Sequence, residues 1–283
     1  MLDQRRISWG AVLAVTAAVL LPSPAAALPG LLVATTTTVG PDAWGVHTAV
    51  ATCPTGTQLT GGGGNLVTPA RVRLEAVSPQ GGGQSLYAAG IGQGFSLTTT
   101  LTAYAICASG MSGYEIVQAE SQPPAGSFLA EATAVCPAGK RLIGAGGNSA
   151  GKLGYILDGI WISPDLTRVY VRTIRTPDGS PDTAPLARAY AICIDPVPGQ
   201  QRVMAGTVYS DKSFQSISVN CPAGTRLHGL GGMLGGGAGY VGIQSLRPIG
   251  PASVTGASVA ATIPQHLKYT GFWRVEVYAI CAP

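Results

Sequence analysis

Charge is what this sequence has least of. Asp, Glu, Lys and Arg make up 11% of its 283 residues, against an average near 25%. A nucleic-acid surface concentrates Lys and Arg on one face, and no such cluster exists. The densest cationic stretch, Arg168 to Arg175, alternates with Val169, Val171 and Ile174 and reads as the polar face of a strand. Nucleic acid is therefore not an expected partner. Acid–base and metal chemistry are equally poorly supplied. The three histidines, His47, His228 and His266, share no common position, and no cysteine pair has C-x-x-C spacing. The carboxylates are few and no two are aimed into one cleft. No run of a dozen residues carries the i, i+3, i+4, i+7 apolar spacing of a helix. Apolar residues nonetheless reach 46%, and disordered chains are poor in them, so the chain should fold.

Long apolar runs are missing too, with one exception. Trp9 to Leu21 is uncharged, follows Arg5 and Arg6, and leads into Pro22-Ser23-Pro24 and Ala25-Ala26-Ala27. A positive start, a short apolar centre and a small-residue exit form a secretory signal peptide. The run is too short to span a bilayer, which takes about 20 apolar residues. We expect residues 1–27 to be removed after Ala27, by the general or the twin-arginine route. The first cysteine, Cys53, is far from that point and cannot carry a lipid. No apolar tail follows Cys281. The expected product is secreted, with no transmembrane anchor. Its net charge falls from +4 to +3 once Asp3, Arg5 and Arg6 are gone.

What is abundant is repetition. The frame Cys-Pro-x-Gly-x-x-Leu-x-Gly-x-Gly-Gly begins at Cys53, Cys136 and Cys221. Each copy closes with Tyr-Ala-Ile-Cys, at Tyr104 to Cys107, Tyr190 to Cys193 and Tyr278 to Cys281. Each also carries a proline 26 to 28 residues after its first cysteine: Pro79, Pro164 and Pro248. A fixed period of this kind marks tandem copies of one structural unit. The boundaries are 28–113, 114–200 and 201–283. Short strands separated by Gly/Pro turns point to sandwiches or barrels, and six fit each copy. In the first copy, these include Leu32–Val39 and Ser85–Ile91. In the second they are Glu115–Glu120, Glu131–Cys136, Ile156–Ser163 and Arg168–Ile174, besides the glycine frame and the Tyr-Ala-Ile-Cys strand. In the third, Val203–Tyr209 and Ser253–Thr262 correspond. Leu101, Ala103, Ala105 and Cys107 share one apolar face, and the face with Tyr104 and Ile106 is expected to meet a neighbouring copy. Glycine repeated within a strand marks a bulge or a close backbone approach.

Six cysteines in a secreted chain imply three disulfides. Two schemes obey the repeat. Each copy can close on itself, as Cys53–Cys107, Cys136–Cys193 and Cys221–Cys281. Alternatively, Cys107–Cys136, Cys193–Cys221 and Cys53–Cys281 link neighbours. The first is favoured, because a duplicated copy then keeps its own bridge.

Residues suggestive of chemistry mostly have plainer readings. Gly147-Asn148-Ser149-Ala150-Gly151 matches the G-x-S-x-G elbow, which works only on a strand-to-helix turn with acid and histidine downstream; its flanks here are glycine-rich strand. Asp178-Gly179, with Asp182 nearby, reads as a hairpin turn rather than a calcium loop. Trp44, Phe128 and Phe214 precede the first cysteines by similar distances and are expected in the core, while Trp273 is ambiguous. Trp161 is aligned by the prolines with Ala76 and Ser245, so its position need not be buried. Tyr155, Trp161 and Tyr170 of the middle copy are the candidate ligand-binding patch. No catalytic residue, metal ligand or cofactor is assigned.

The Cys-Pro-x-Gly … Tyr-Ala-Ile-Cys frame resembles a repeat of secreted proteins from high-GC Gram-positive bacteria, one with no assigned activity. More distantly, three Cys-Pro-x-Gly copies resemble the threefold β-prism of vitelline membrane outer layer proteins, which implies surface or carbohydrate-associated roles. The expectation is an all-β protein of three disulfide-closed, sandwich-like units, set in a row through the linkers Ala108–Gly113 and Asp195–Gln201. The alternative is one pseudo-threefold β-prism. The expected function is non-enzymatic: a secreted module binding surface glycans or cell wall, or else a purely structural envelope protein. Oligomeric state has no signature in the sequence.

Overall fold

Inward and outward residues alternate in edge strands such as Val46–Thr52 and Leu129–Val135. Central strands such as Val72–Gln80, Arg141–Asn148 and Tyr155–Ile162 are buried almost throughout. Every regular element among the described residues is a strand. The computed structural model describes residues 28–40, 46–67, 72–92, 99–152, 154–250 and 254–283. The signal-peptide assignment and Trp44 lie outside them.

The first repeat supplies β1 (Leu32–Val39), β2 (Val46–Thr52), β3 (Gln58–Val67), β4 (Val72–Gln80), β5 (Ser85–Gly92) and β6 (Thr100–Ala108). The second supplies β7 (Glu115–Ser121), β8 (Leu129–Val135), β9 (Arg141–Asn148), β10 (Tyr155–Ile162), β11 (Arg168–Arg175) and β12 (Ala187–Ile194). The third supplies β13 (Gln201–Gly206), β14 (Phe214–Asn220), β15 (Arg226–Gly236), β16 (Gly242–Ile249), β17 (Gly256–Thr262) and β18 (Trp273–Ala282). These bounds fall within a few residues of the strands expected from sequence.

Each repeat divides its strands between two antiparallel half-sheets. In the first repeat these are β1-β6-β3 and β2-β5-β4. They pack face to face through Ala49, Ala51, Leu74, Leu86 and Ala88 on one side and Leu66, Leu101, Ala103 and Ala105 on the other, all buried. Each repeat is thus sandwich-like, and its disulfide joins the two layers. The pairs are Cys53–Cys107, Cys136–Cys193 and Cys221–Cys281, closing loops of 54, 57 and 60 residues. Each such closure is worth about 4 kcal/mol in the chain-entropy model.

The units do not stand in a row. Every half-sheet continues into one from a neighbour, giving three six-stranded sheets: β1-β6-β3-β16-β17-β14, β13-β18-β15-β10-β11-β8 and β2-β5-β4-β9-β12-β7. The joins are short and equivalent. Ala76 and Val77 pair with Asn148 and Gly147; Gly159 and Ile160 pair with Met233 and Gly232; Ser245 and Leu246 pair with Asn65 and Gly64. Repeat 1 joins 2, 2 joins 3, and 3 joins 1, so the three close a ring about a pseudo-threefold axis. The expected linkers do not separate domains. Ser112 Oγ donates to Asp195 at 2.7 Å, Asp195 N donates to Ser112 O, and Met111 and Gln200 are buried.

The glycine frame builds the axis. The central strands β3, β9 and β15 pack against one another. Each carries a bulge, at Thr60, Ile143 and His228 respectively, and all three bulged residues are fully buried. A Cβ on Gly61 would lie 2.6 Å from His228 O, on Gly144 1.6 Å from Thr60 O, and on Gly229 2.4 Å from Ile143 O. Only glycine permits three backbones to meet so closely. Thr60 Oγ1 donates to His228 O at 2.8 Å across the contact. A second junction again draws on all three repeats. Arg73 of β4, buried, donates to Gly239 O at 3.2 Å and lies 3.7 Å from Asp178, which His266 approaches at 3.5 Å. Asp178 sits in a turn, but not the expected hairpin: β11 and β12, which it connects, belong to different sheets, and the turn ties repeats together.

Candidate ligand-binding face

Because sheets are shared, each outer face has a seam where two repeats meet, and the registers put equivalent residues around it. Each seam strand carries a bulge, at Glu75 in β4, Asp158 in β10 and Gln244 in β16. Counting from those bulges, Trp161 corresponds to Ser78 and Arg247, not to Ala76 and Ser245. The proline alignment misleads because Ile162 takes the strand-end place of Pro79 and Pro248, while Pro164 lies in the following turn.

Trp161 and Tyr170 are cross-strand partners on the outer face of the sheet shared by repeats 2 and 3, and both are half-buried. Tyr155 is not with them. It is fully buried, its hydroxyl donating to Ser127 O at 2.9 Å and Thr183 O at 3.1 Å. The bulge at Asp158 is the reason: it shifts the alternation by one between Tyr155 and Trp161, so residues six apart face opposite sides.

Residues without an earlier assignment complete the patch. Arg202 of β13 lies with its guanidinium 5.9 Å from the Trp161 ring centre and 4.9 Å from that of Tyr278, and donates to Ile162 O at 2.7 Å. Such cation–π contacts are worth about 0.5–1 kcal/mol each near a surface. The Tyr170 hydroxyl donates to Glu131 of β8, and burial together with that carboxylate raises its pKa. Arg172 pairs with Asp158 at 2.5 Å and donates to Leu234 O of repeat 3 at 2.9 Å. Burial pushes the Asp158 carboxyl up to about 6 against the opposing pull of Arg172. Guanidinium and carboxylate thus hold the two aromatic rings in one orientation. Arg202 lies on β13, a short strand at the edge of its sheet, and no pattern in its neighbourhood marks it out from sequence.

Equivalent seams differ in content. The seam of repeats 1 and 2 forms a groove of about 340 Å³ lined by residues including Glu75, Ser78, Tyr87, Asn148, Arg188 and Tyr190. The seam of repeats 3 and 1 forms another of about 340 Å³, with Asn65, Gln244 and Arg247.

The remaining motifs resolve as structure. Ser149 is buried and donates to Glu75 of repeat 1 at 2.8 Å, and a further turn and strand β10, not a helix, follow it. Trp273 is buried, its indole N–H donating to Lys212 O at 2.8 Å. Phe128 and Phe214 are not core residues, being 42% and 51% exposed. Phe128 immediately precedes β8 and Phe214 opens β14, and both strands lie at the edges of their sheets, where the side chains stay open to solvent. Among the described residues no group of His, Cys, Asp and Glu is placed to hold a metal, and no helix is long and apolar enough to cross a membrane.

No known protein family matches the chain, and no curated protein matches it.

Proposed function

We propose that this protein is a secreted, non-enzymatic module that binds surface glycans or cell-wall material through the outer face of the sheet shared by repeats 2 and 3. The observation that supports this most is the pairing of Trp161 with Tyr170 across β10 and β11, with Arg202 over the indole and Glu131 holding the phenol. Flat aromatic faces flanked by fixed hydrogen-bonding groups suit sugar rings, whose C–H faces stack while hydroxyls find polar partners. Three disulfides suit an oxidising compartment. The test is a glycan array probed with the full mature chain and with Trp161→Ala. Wild-type binding to a defined set of glycans, lost in the variant, is expected. An array on which the correctly oxidised wild type binds nothing moves the assignment to a structural envelope protein.

A further inference from the structure

The groove between repeats 1 and 2 is a separate concavity from the Trp161 patch, and its walls come from β4 and β5 of one repeat and β9 and β12 of the next. Its size falls in the range of small-ligand sites. It recurs at the same volume in the seam of repeats 3 and 1, so the seam architecture builds it. The groove of repeats 3 and 1 has Gln244 at the bulge position, whereas here a carboxylate, Glu75, stands in the wall. Glu75 is 2% exposed, and its Oε1 accepts from Ser149 Oγ at 2.8 Å and from Gly151 N at 2.5 Å. Both donors come from the other repeat. Ala150 between them is held at φ 54°, a conformation rare for a residue other than glycine.

The hydrogen-bonding pattern defines the ligand. Asn148 Nδ2 donates to Tyr190 Oη at 3.3 Å, and Asn148 Oδ1 accepts from Ala150 N at 3.1 Å. The amide is thereby engaged, and the Tyr190 hydroxyl, already an acceptor, has its proton to give. Glu75 offers only acceptors. Arg188 on the rim is paired with Glu120 at 2.5 Å, and no other Lys or Arg is among the described residues lining the groove. An acceptor and a donor lining one groove suit two hydroxyls of one sugar, one giving to Glu75 and one receiving from Tyr190. The Tyr87 ring supplies a wall against which a sugar face can lie.

We infer that the groove between repeats 1 and 2 binds one uncharged glycosyl residue bearing vicinal hydroxyls, held by Glu75 and Tyr190. The inference rests on the reading of the protein as a glycan-binding module and adds a second site to it. Amide-resolved NMR titration of the mature protein with methyl β-D-glucopyranoside and with N-acetylglucosamine tests it. Saturable shifts are expected for at least one of them, confined to residues 75–80, 87, 148–151 and 188–190. Glucuronate, whose carboxylate opposes Glu75, should produce none there. Loss of one hydrogen bond corresponds to about fivefold in affinity, the weakening expected in Tyr190→Phe. Glu75→Gln, which keeps an acceptor for Ser149 and Gly151, should weaken binding at least as much while its spectrum stays folded. Trp161→Ala separates the two sites: groove shifts unchanged in that variant support the inference even if the glycan array fails, and shifts lost in it overturn the inference. Absence of shifts with both sugars, or equal affinity in both folded groove variants, also overturns it.

Discussion

His228 gives the ring closure a measurable acid response. It occupies the axial bulge where its counterparts are Thr60 and Ile143, is fully buried, and neither ring nitrogen has a protein partner in hydrogen-bond geometry. Burial pushes its pKa down to about 4, opposed by the Pro283 backbone and assisted by the charge of Arg226. Its ordinary value is near 6.5. A histidine with a depressed native pKa contributes stability above the unfolded value, and that stability is lost as pH falls toward the native one. Between pH 7.5 and 4.5 the loss amounts to about 2.5 kcal/mol. Replacement by the residue of the second repeat, His228→Ile, should remove it. It should also stabilise the protein by about 1 kcal/mol or more at pH 7.5, since an unpartnered buried polar group costs that much. The assay is equilibrium urea unfolding of wild type and variant at pH 7.5, 6.0 and 4.5, with the disulfides intact. Other titrating groups, Asp158 among them, cancel in the difference between the two proteins. Equal acid losses in wild type and His228→Ile would refute the placement of His228 as a neutral, buried axial residue.

Three further outcomes follow from the same geometry. Gly144→Ala puts a methyl group 1.6 Å from Thr60 O and should cost about 3 kcal/mol or more, measured as a fall in midpoint denaturant concentration; Gly139→Ala has open space around it and is a milder control, strained only by its positive φ. Removing Arg172 as Arg172→Met leaves the Asp158 carboxylate buried and unpaired, which should destabilise by about 3 kcal/mol, whereas Arg172→Met with Asp158→Leu should recover most of that in thermal unfolding at neutral pH. Deleting the middle disulfide as Cys136→Ala with Cys193→Ala should cost about 4 kcal/mol, and a change below about 1 kcal/mol would show that the ring closure alone constrains the second repeat.

The strands and bridges were legible in the sequence because they depend on local signals: alternation, Pro-x-Gly turns and the recurring cysteines. The glycine frame also announced a close backbone approach, and Gly61, Gly144 and Gly229 make one. The ring was harder to choose over a row, since each join between repeats is carried by two residue pairs far apart in the chain. The bulges of the seam strands, at Glu75, Asp158 and Gln244, were invisible, and they decided the site. The one at Asp158 turned Tyr155 inward and left Trp161 outside, and it made the proline alignment of Trp161 fail. Glu75 carried no sequence signal at all, because its role depends on Ser149 and Gly151 of the next repeat.

The central claim is recognition through the outer face at Trp161 and Tyr170. Sedimentation of the mature, oxidised protein with isolated bacterial cell walls, over a range of protein concentrations, tests it most directly when run beside Trp161→Ala and Tyr170→Ala. Saturable binding by the wild type, weakened at least tenfold in each folded variant, is the predicted result. Binding of equal strength in all three proteins, or none in the wild type, would contradict it.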